Sequence, residues 1–200
     1  MQAQITTAAM IDDVITWIKK QDFYTRNQQP NYAVAITGGG RMIISKVGGV
    51  TSKTSGMGDL AGYIQSKDWW TELEGLYFGK TFGGDGGSNH GEMCVLAAAD
   101  AMGEKIAEMK CTGDNCPACF EMLKHAGVKT LNKSATGSQS GWIHPRGRMA
   151  LGSQLNSDWK GQIEELKAFN KLSAAAQEDF DYTLTRATGY DPAGSYEEYV

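Results

Sequence analysis

The spacing of apolar residues alternates along the chain between helix-like and strand-like segments. Apolar positions recur every three or four residues in six segments that we predict to be helices, at residues 11–20, 60–70, 90–103, 117–127, 159–172 and 180–188. Short β-prone runs predict strands at residues 32–37, 41–47, 105–111 and 128–131. The first two runs flank Gly38, Gly39 and Gly40, so we expect them to form a hairpin.

Two segments show no clear periodicity. Residues 48–88 are rich in glycine and aromatic residues, and residues 82–88 hold four glycines shortly before His90. A long loop in such a place is either functional or a solvated connection, and the sequence leaves both interpretations open. Residues 191–200 are acidic, and we expect them to be frayed.

Composition fits one globular domain, or one domain with an appendage. The chain has 200 residues, of which 41% are hydrophobic, which is enough for a real core. Its net charge of −4 argues against a strongly basic, generic nucleic-acid binder. A local basic groove is still compatible with this net charge, because the electrostatic potential at the surface depends on how the charges are distributed.

The sequence contains no apolar run of membrane-spanning length. Residues 1–7 lack the charged and apolar regions of a signal peptide. We therefore expect no membrane association and a cytoplasmic site of action. The chain could also leave its cell by a route that uses no such signal, or be a piece excised from a longer protein.

The four cysteines are grouped in a way that is typical of metal sites. Cys111, Cys116 and Cys119 fall within nine residues, and Cys94 lies on a predicted helix. This is too few and too clustered for a disulfide framework. Because zinc binds thiolates, we expect a reducing compartment.

Two motifs combine into the sequence signature of zinc-dependent deaminases. His90 and Glu92 form an H-x-E motif, and Cys116 and Cys119 form a C-x-x-C motif further along the chain. His90, Cys116 and Cys119 supply the three protein ligands of a catalytic Zn²⁺ site, in which water takes the fourth position. A structural zinc would need a fourth protein ligand, for which Cys94 or Cys111 is available.

The spacing of His90 and Glu92 constrains where their helix begins. On a continuous helix, two residues two positions apart point about 200° away from each other. Both side chains can face one site if His90 lies at the helix start, where the backbone is not yet helical. For the second motif we expect Asp114 or Asn115 to cap a helix with Pro117 in its first turn. Both halves of the site would then lie at helix N-termini, which favour thiolates.

These motifs and their setting resemble the cytidine deaminase-like superfamily. The resemblance covers about residues 32–131, with a hairpin before and a strand after each motif helix. It implies a three-layer α/β/α sandwich with a mixed central sheet of about five strands. It also implies zinc on His90, Cys116 and Cys119, with Glu92 as the proton shuttle. Residues 1–200 would form one deaminase domain, with a catalytic core at about 30–150 and a C-terminal helical extension at about 155–200.

The details of the motifs are more similar to the bacterial toxin-type deaminases than to the housekeeping nucleoside enzymes. Gly91 stands where many members have alanine, and Asn115 stands where many have proline. The similarity to the toxin-type group lies in Met93-Cys94 after the glutamate and in the Cys-Pro-Ala-Cys-Phe run at residues 116–120. A toxin domain would be delivered into a target cell, and the resemblance then implies an immunity protein as a partner.

Candidate substrate contacts lie on either side of the motifs. Asn89 directly precedes the histidine, and Trp142, His144 and Arg146 form a short aromatic and basic stretch. A base taken from a nucleic acid needs a stacking surface, and its phosphates need cations. A tryptophan packed in the core with exposed arginines explains the same stretch equally well.

The sequence therefore predicts a hydrolase that acts on the C–N bond of a cyclic amidine, with Zn²⁺ as cofactor. Cytosine in single-stranded DNA or RNA is the first expected substrate. Free nucleosides or nucleotides are the alternative, which the acidic composition favours. A non-catalytic module built around structural zinc is the second alternative. The sequence does not indicate an oligomeric state.

Overall fold

The fold is an α/β arrangement with helices on both faces of one mixed sheet. The computed structural model describes residues 5–27, 29–81, 90–135, 164, 167–188 and 191–199. Its α-helices are α1 (Thr7–Lys19), α2 (Asp22–Thr25), α3 (Met57–Gln65), α4 (Gly91–Ala101), α5 (Pro117–His125) and α6 (Ala174–Thr188). Its strands are β1 (Tyr32–Thr37), β2 (Arg41–Lys46), β3 (Gly75–Gly79), β4 (Ile106–Cys111), β5 (Lys129–Thr130) and β6 (Tyr196–Glu198). Short 3₁₀ helices cover Asp68–Glu72 and Ala193–Ser195.

The six strands lie in the order β5-β4-β1-β2-β3-β6. Central strand β1 pairs antiparallel with both β2 and β4, whereas β2 pairs with β3 and β4 pairs with β5 in parallel. The expected hairpin of β1 and β2 is confirmed. Its turn needs glycine at Gly40, whose φ of +82° lies in the left-handed region.

One face of the sheet is covered by α1 and α3. Helix α1 begins after Thr6, whose hydroxyl accepts a hydrogen bond from the backbone N–H of Ala9 at 3.2 Å. The helix buries an apolar stripe made of Met10, Ile11, Val14, Ile15 and Ile18. These side chains share one core with residues of α3 and with the strand residues Val34, Ile36, Met42, Ile44, Leu76 and Phe78.

The opposite face carries α4 and α5, the helices that follow the two sequence motifs. The β1 residues Ala33 and Ala35 have small side chains and are fully buried against this layer. Their size lets α4 lie close to the sheet, and α4 itself is buried on most of its sides. Phe180 of α6 packs against the same core, and its ring centroid lies 5.0 Å from that of Phe169. Both layers together are compatible with the expected α/β/α sandwich.

The structure corrects several expectations about the elements. Among the described residues the sheet has six strands, whereas the resemblance implied about five; the sequence pattern predicted four of them and missed β3 and β6. Residues 191–199 are not frayed: β6 pairs antiparallel with β3, and the backbone N–H of Lys80 donates to the carbonyl of Ser195 at 2.8 Å. The helix expected at 60–70 ends at Gln65 and is followed by a 3₁₀ helix.

Other expectations fall partly or wholly outside the described residues, including half of the helix expected at residues 159–172. The division into a catalytic core and a C-terminal extension stays a prediction. Among the residues that the structure describes, no helix is long and apolar enough to cross a membrane.

Candidate metal centre and active site

Three side chains from the two motifs meet at one point. The Nδ1 atom of His90 lies 3.4 Å from Sγ of Cys116 and 3.3 Å from Sγ of Cys119. All three candidate ligand atoms lie within 4.8 Å of one another. The structure thus brings together the histidine and both cysteines that the sequence singled out.

The positions of these side chains are set by the starts of two helices, α4 and α5. His90 is the residue before α4, and its ψ of 147° is extended, so the conflict between His90 and Glu92 on a regular helix does not arise. Cys116 holds the same position before α5, with ψ of 155°, and Pro117 is the first helical residue. The expected cap at Asp114 or Asn115 is wrong, because Sγ of Cys116 itself accepts the hydrogen bond from the N–H of Cys119 at 3.3 Å.

The donor set fits zinc in both chemistry and spacing. A tetrahedral zinc with Zn–S of about 2.3 Å and Zn–N of about 2.0 Å separates sulfur from nitrogen by about 3.5 Å. The observed Sγ–Nδ1 distances of 3.3 and 3.4 Å are close to that value. Two thiols and one imidazole are also the ligands that zinc prefers over magnesium or calcium.

The surroundings of the two cysteine sulfurs favour the thiolate form of one of them, Cys116. The hydrogen bond from the Cys119 thiol, helped by that from His90, lowers the pKa of Cys116 to about 4. The same contact with Cys116, together with burial, raises the pKa of Cys119. His90 has a raised pKa because it bonds to the Cys116 sulfur. The lowered pKa favours the thiolate form of Cys116, which is the form that binds zinc.

Glu92 lies beside this group without belonging to it. The residue is only 2% exposed, and burial raises the pKa of its carboxyl group. Its Oε1 atom lies 3.4 Å from Nδ2 of Asn115, and the Cys111 thiol is also within hydrogen-bonding reach. A carboxyl group that lies next to three candidate metal ligands but outside the ligand set is free to accept and donate protons.

An open cavity of about 320 Å³ gives access to the site. Its described lining consists of Asn31, Val47, His90, Glu92, Gly113, Asp114, Cys116 and Ala135. Asn31 fixes one side of the mouth, because its Oδ1 accepts from the N–H of Gly113 at 2.8 Å. Val47 is 40% exposed and presents an apolar surface. A ligand in this cavity would therefore meet polar groups on one side and an apolar side chain on the other.

Sequence reasoning missed Asn31, Val47 and Asp114 as lining residues. They come from the approach to β1, the end of β2 and the loop after β4, which lie far apart in the sequence. The only local signal was the apolar run of β2 continuing to Val47 beyond the strand end.

Neither of the remaining cysteines joins the ligand group. Cys94 lies next to Ser45 under β2, and burial raises the pKa of its thiol to about 12. Cys111 is 1% exposed and lies near Asn115 and Glu92. Within the described part of the chain, the only group of His, Cys, Asp and Glu that could hold a metal has the three members named above.

Gly91 is required by the close approach of α4 to β2. A Cβ atom at this position would lie 2.9 Å from the Cα of Lys46 and 3.1 Å from its carbonyl carbon. These are backbone atoms, which cannot turn away as a side chain can. The glycine between His90 and Glu92 thus has a structural reason.

Asn89, Trp142, His144 and Arg146 lie outside the described residues, so their role in substrate binding stays a prediction. The aromatic-rich segment at residues 48–88 contributes Trp69, which is 6% exposed and belongs to the core under α1 and α3, on the sheet face opposite the His90–Cys116–Cys119 group.

Comparisons of the chain with protein-family models, curated proteins and solved structures find no match.

Proposed function

We propose that the chain is a zinc-dependent deaminase of a nucleobase, which converts cytosine to uracil in single-stranded DNA or RNA. The proposal includes the cytidine deaminase-like fold that the sequence resembles. One observation carries it: three zinc-ligand atoms meet beside an unligated, buried carboxyl group at the wall of one cavity. His90, Cys116 and Cys119 would hold the metal, and Glu92 would be the catalytic acid and base.

Each part of the reaction has a candidate group. When bound, zinc supplies the Lewis-acid activation of water that hydrolysis needs near neutral pH. The water oxygen bonds to the ring carbon that carries the amine, and Glu92 accepts the proton that the water loses. Glu92 passes this proton to the ring nitrogen, and it then transfers the proton of the new hydroxyl group on the ring carbon to the leaving amine. The C–N bond breaks, ammonia leaves and a carbonyl remains on the ring.

The cavity supports a single base as the reacting unit. A space of about 320 Å³ is at the small end of ligand sites and has no room for a stacked duplex. A base in nucleic acid would have to come from a single strand or be extruded from a duplex. Val47 at the mouth offers an apolar contact for a ring, whereas Asn31 and Asp114 offer polar ones.

Two other functions remain as alternatives. Free nucleosides or nucleotides would fit the same cavity, and the net charge of −4 favours a small substrate over a long polyanion. A structural-zinc module would need a fourth protein ligand. Among the described residues, no further histidine, cysteine, aspartate or glutamate belongs to the group.

The test compares substrates and one variant. Purified, zinc-loaded protein is incubated with cytidine, dCMP, and single-stranded and duplex DNA and RNA, while ammonia and uracil are measured. We expect uracil in single strands, and a fall in kcat of about 10²- to 10⁴-fold in Glu92→Gln with zinc content unchanged. The exposed Glu178→Gln is the matched control. Turnover of free nucleosides alone would favour the alternative, and equal activity of Glu92→Gln would rule out the mechanism.

The toxin-type resemblance adds a biological proposal. If the chain acts inside a target cell, its expression in bacteria should raise the frequency of C-to-T changes and reduce growth, and Glu92→Gln should do neither. An immunity protein would then be expected to bind over the cavity and to restore growth when co-expressed.

A further inference from the structure

Asn115 is a fully buried polar residue that directly precedes the metal-ligand position Cys116. Its backbone is held on both sides. The N–H donates to the carbonyl of Lys133 at 3.1 Å, and the carbonyl accepts from the N–H of Ala135 at 2.7 Å. These bonds fix where the Asn115 side chain starts, so its amide has little freedom to move within the core.

The side chain of Asn115 connects β5 to Glu92. Its Oδ1 accepts from the hydroxyl of Thr130 at 3.5 Å. Its Nδ2 lies 3.4 Å from Oε1 of Glu92 and 3.9 Å from Sγ of Cys111. Because the hydroxyl of Thr130 can donate to Oδ1, this contact directs the NH₂ group towards the carboxyl group of Glu92.

The contact matters because Glu92 is buried. A carboxylate that is 2% exposed loses most of its hydration, and it needs hydrogen-bond donors to keep one orientation. Asn115 supplies an amide donor at 3.4 Å, and the Cys111 thiol is the second side-chain donor within reach. Distances of this length are usual in ligand-free sites and shorten when a substrate is bound.

We infer that Asn115 is a positioning residue, which holds the Glu92 carboxyl group at the cavity wall through its side-chain amide. The expected effect of Asn115 on turnover rests on the proposed function. The contact between Asn115 and Glu92 does not, because it is a feature of the folded chain. A purely structural role would require only that a side chain of this size fill the space.

The Asn115→Asp variant separates these two roles. Aspartate has the same shape, so it satisfies a space-filling role, but it removes the NH₂ donor and places a second carboxyl group against Glu92. We expect kcat to fall about 100-fold with KM and zinc content nearly unchanged, and the thermal unfolding midpoint to fall. Thr130→Val, which loses only the hydroxyl that orients the amide, should lower kcat by a smaller factor and fold normally.

A second measurement is independent of activity. In Asn115→Asp/Glu92→Gln the amide and the carboxyl group exchange places, so the hydrogen bond between them can form again. We expect this double variant to recover most of the fall in unfolding midpoint caused by Asn115→Asp, while remaining inactive. The matched control is Asn132→Asp, because Asn132 supports the same loop by donating to the carbonyls of Cys111 and Gly113. Its effect should simply add to that of Glu92→Gln.

The outcomes are distinct. Recovery in the exchange variant supports the inference, even if the unsubstituted chain releases no ammonia and the proposed function fails. Additive midpoint shifts for Asn115→Asp and Glu92→Gln would overturn it. So would an Asn115→Asp enzyme whose kcat stays within about twofold of the original.

Discussion

Adding a single methyl group at Gly91 tests how tightly the first motif is held against the sheet. The Gly91→Ala substitution places a Cβ atom 2.9 Å from the Cα of Lys46, 3.1 Å from its carbonyl carbon and 3.2 Å from its nitrogen. Real Cβ atoms essentially never approach other atoms to 2.9 Å. Either β2 or the start of α4 must therefore move.

The size of the effect follows from two opposing contributions. Overpacking of a well-packed site costs about 1–3 kcal/mol. Replacing glycine by alanine in a helix gains up to about 1 kcal/mol. We expect a net loss of about 1–2 kcal/mol, which lowers Tm by about 2–8 °C for a domain of this size. Because Gly91 lies between His90 and Glu92, zinc affinity should also fall, by about tenfold or more.

The assay measures denaturant unfolding of the metal-free protein and zinc affinity by competition with a chelating dye. The matched control is Gly62→Ala on α3, where a new Cβ atom meets no atom within 4 Å. That variant should be stabilised by up to about 1 kcal/mol, with zinc affinity unchanged. If Gly91→Ala behaves like Gly62→Ala, the close approach of α4 to β2 is not a constraint and the reasoning is refuted.

Three further predictions concern metal, cysteines and pH. Removing zinc with a chelator should lower Tm, and restoring zinc should reverse the change. The reason is that zinc at 1,000 times its Kd adds about 4 kcal/mol to the free energy of unfolding. An unchanged Tm would exclude a zinc site of useful affinity. Alkylation followed by mass spectrometry should show that zinc protects Cys116 from the reagent. Cys94 should react slowly with or without zinc, because burial raises the pKa of its thiol to about 12. Rapid labelling of Cys94 in the folded protein would contradict its burial. Burial also raises the pKa of Tyr32 to about 12, so between pH 10 and 12 the unfolded chain loses this proton and the folded chain keeps it. Stability should fall as pH rises through that range, and by less in Tyr32→Phe; equal falls in both proteins would contradict the assignment.

The local part of the site could be predicted from sequence. The H-x-E and C-x-x-C motifs named His90, Cys116 and Cys119, and the spacing argument required an extended backbone at His90, which the structure has. Both results follow from short-range geometry. The cap of α5 was predicted wrongly, because Asn115 is a good capping residue in isolation but its amide instead contacts Glu92 in the folded chain.

The long-range part could not be predicted in the same way. Strand β3 contains Leu76, Tyr77 and Phe78 between two glycines, a run too short to stand out in a glycine-rich segment. It forms because β2 lies parallel to it on one side and β6 pairs with it on the other. Asn31 and Val47 likewise reach the cavity only through the arrangement of whole strands.

The pairing of β6 with β3 has a consequence for how the protein behaves in solution. In addition to the pairing of the two strands, the N–H of Tyr199 donates to the carbonyl of Leu76, and the side chain of Glu197 accepts from the N–H of Ser52. Trimming residues 196–199 would leave the backbone groups of a short apolar strand open along one side. Such an edge is a template for pairing with a second molecule. A chain trimmed in this way should therefore keep its His90–Cys116–Cys119 group and yet self-associate, which light scattering would detect as particles larger than those of the untrimmed chain.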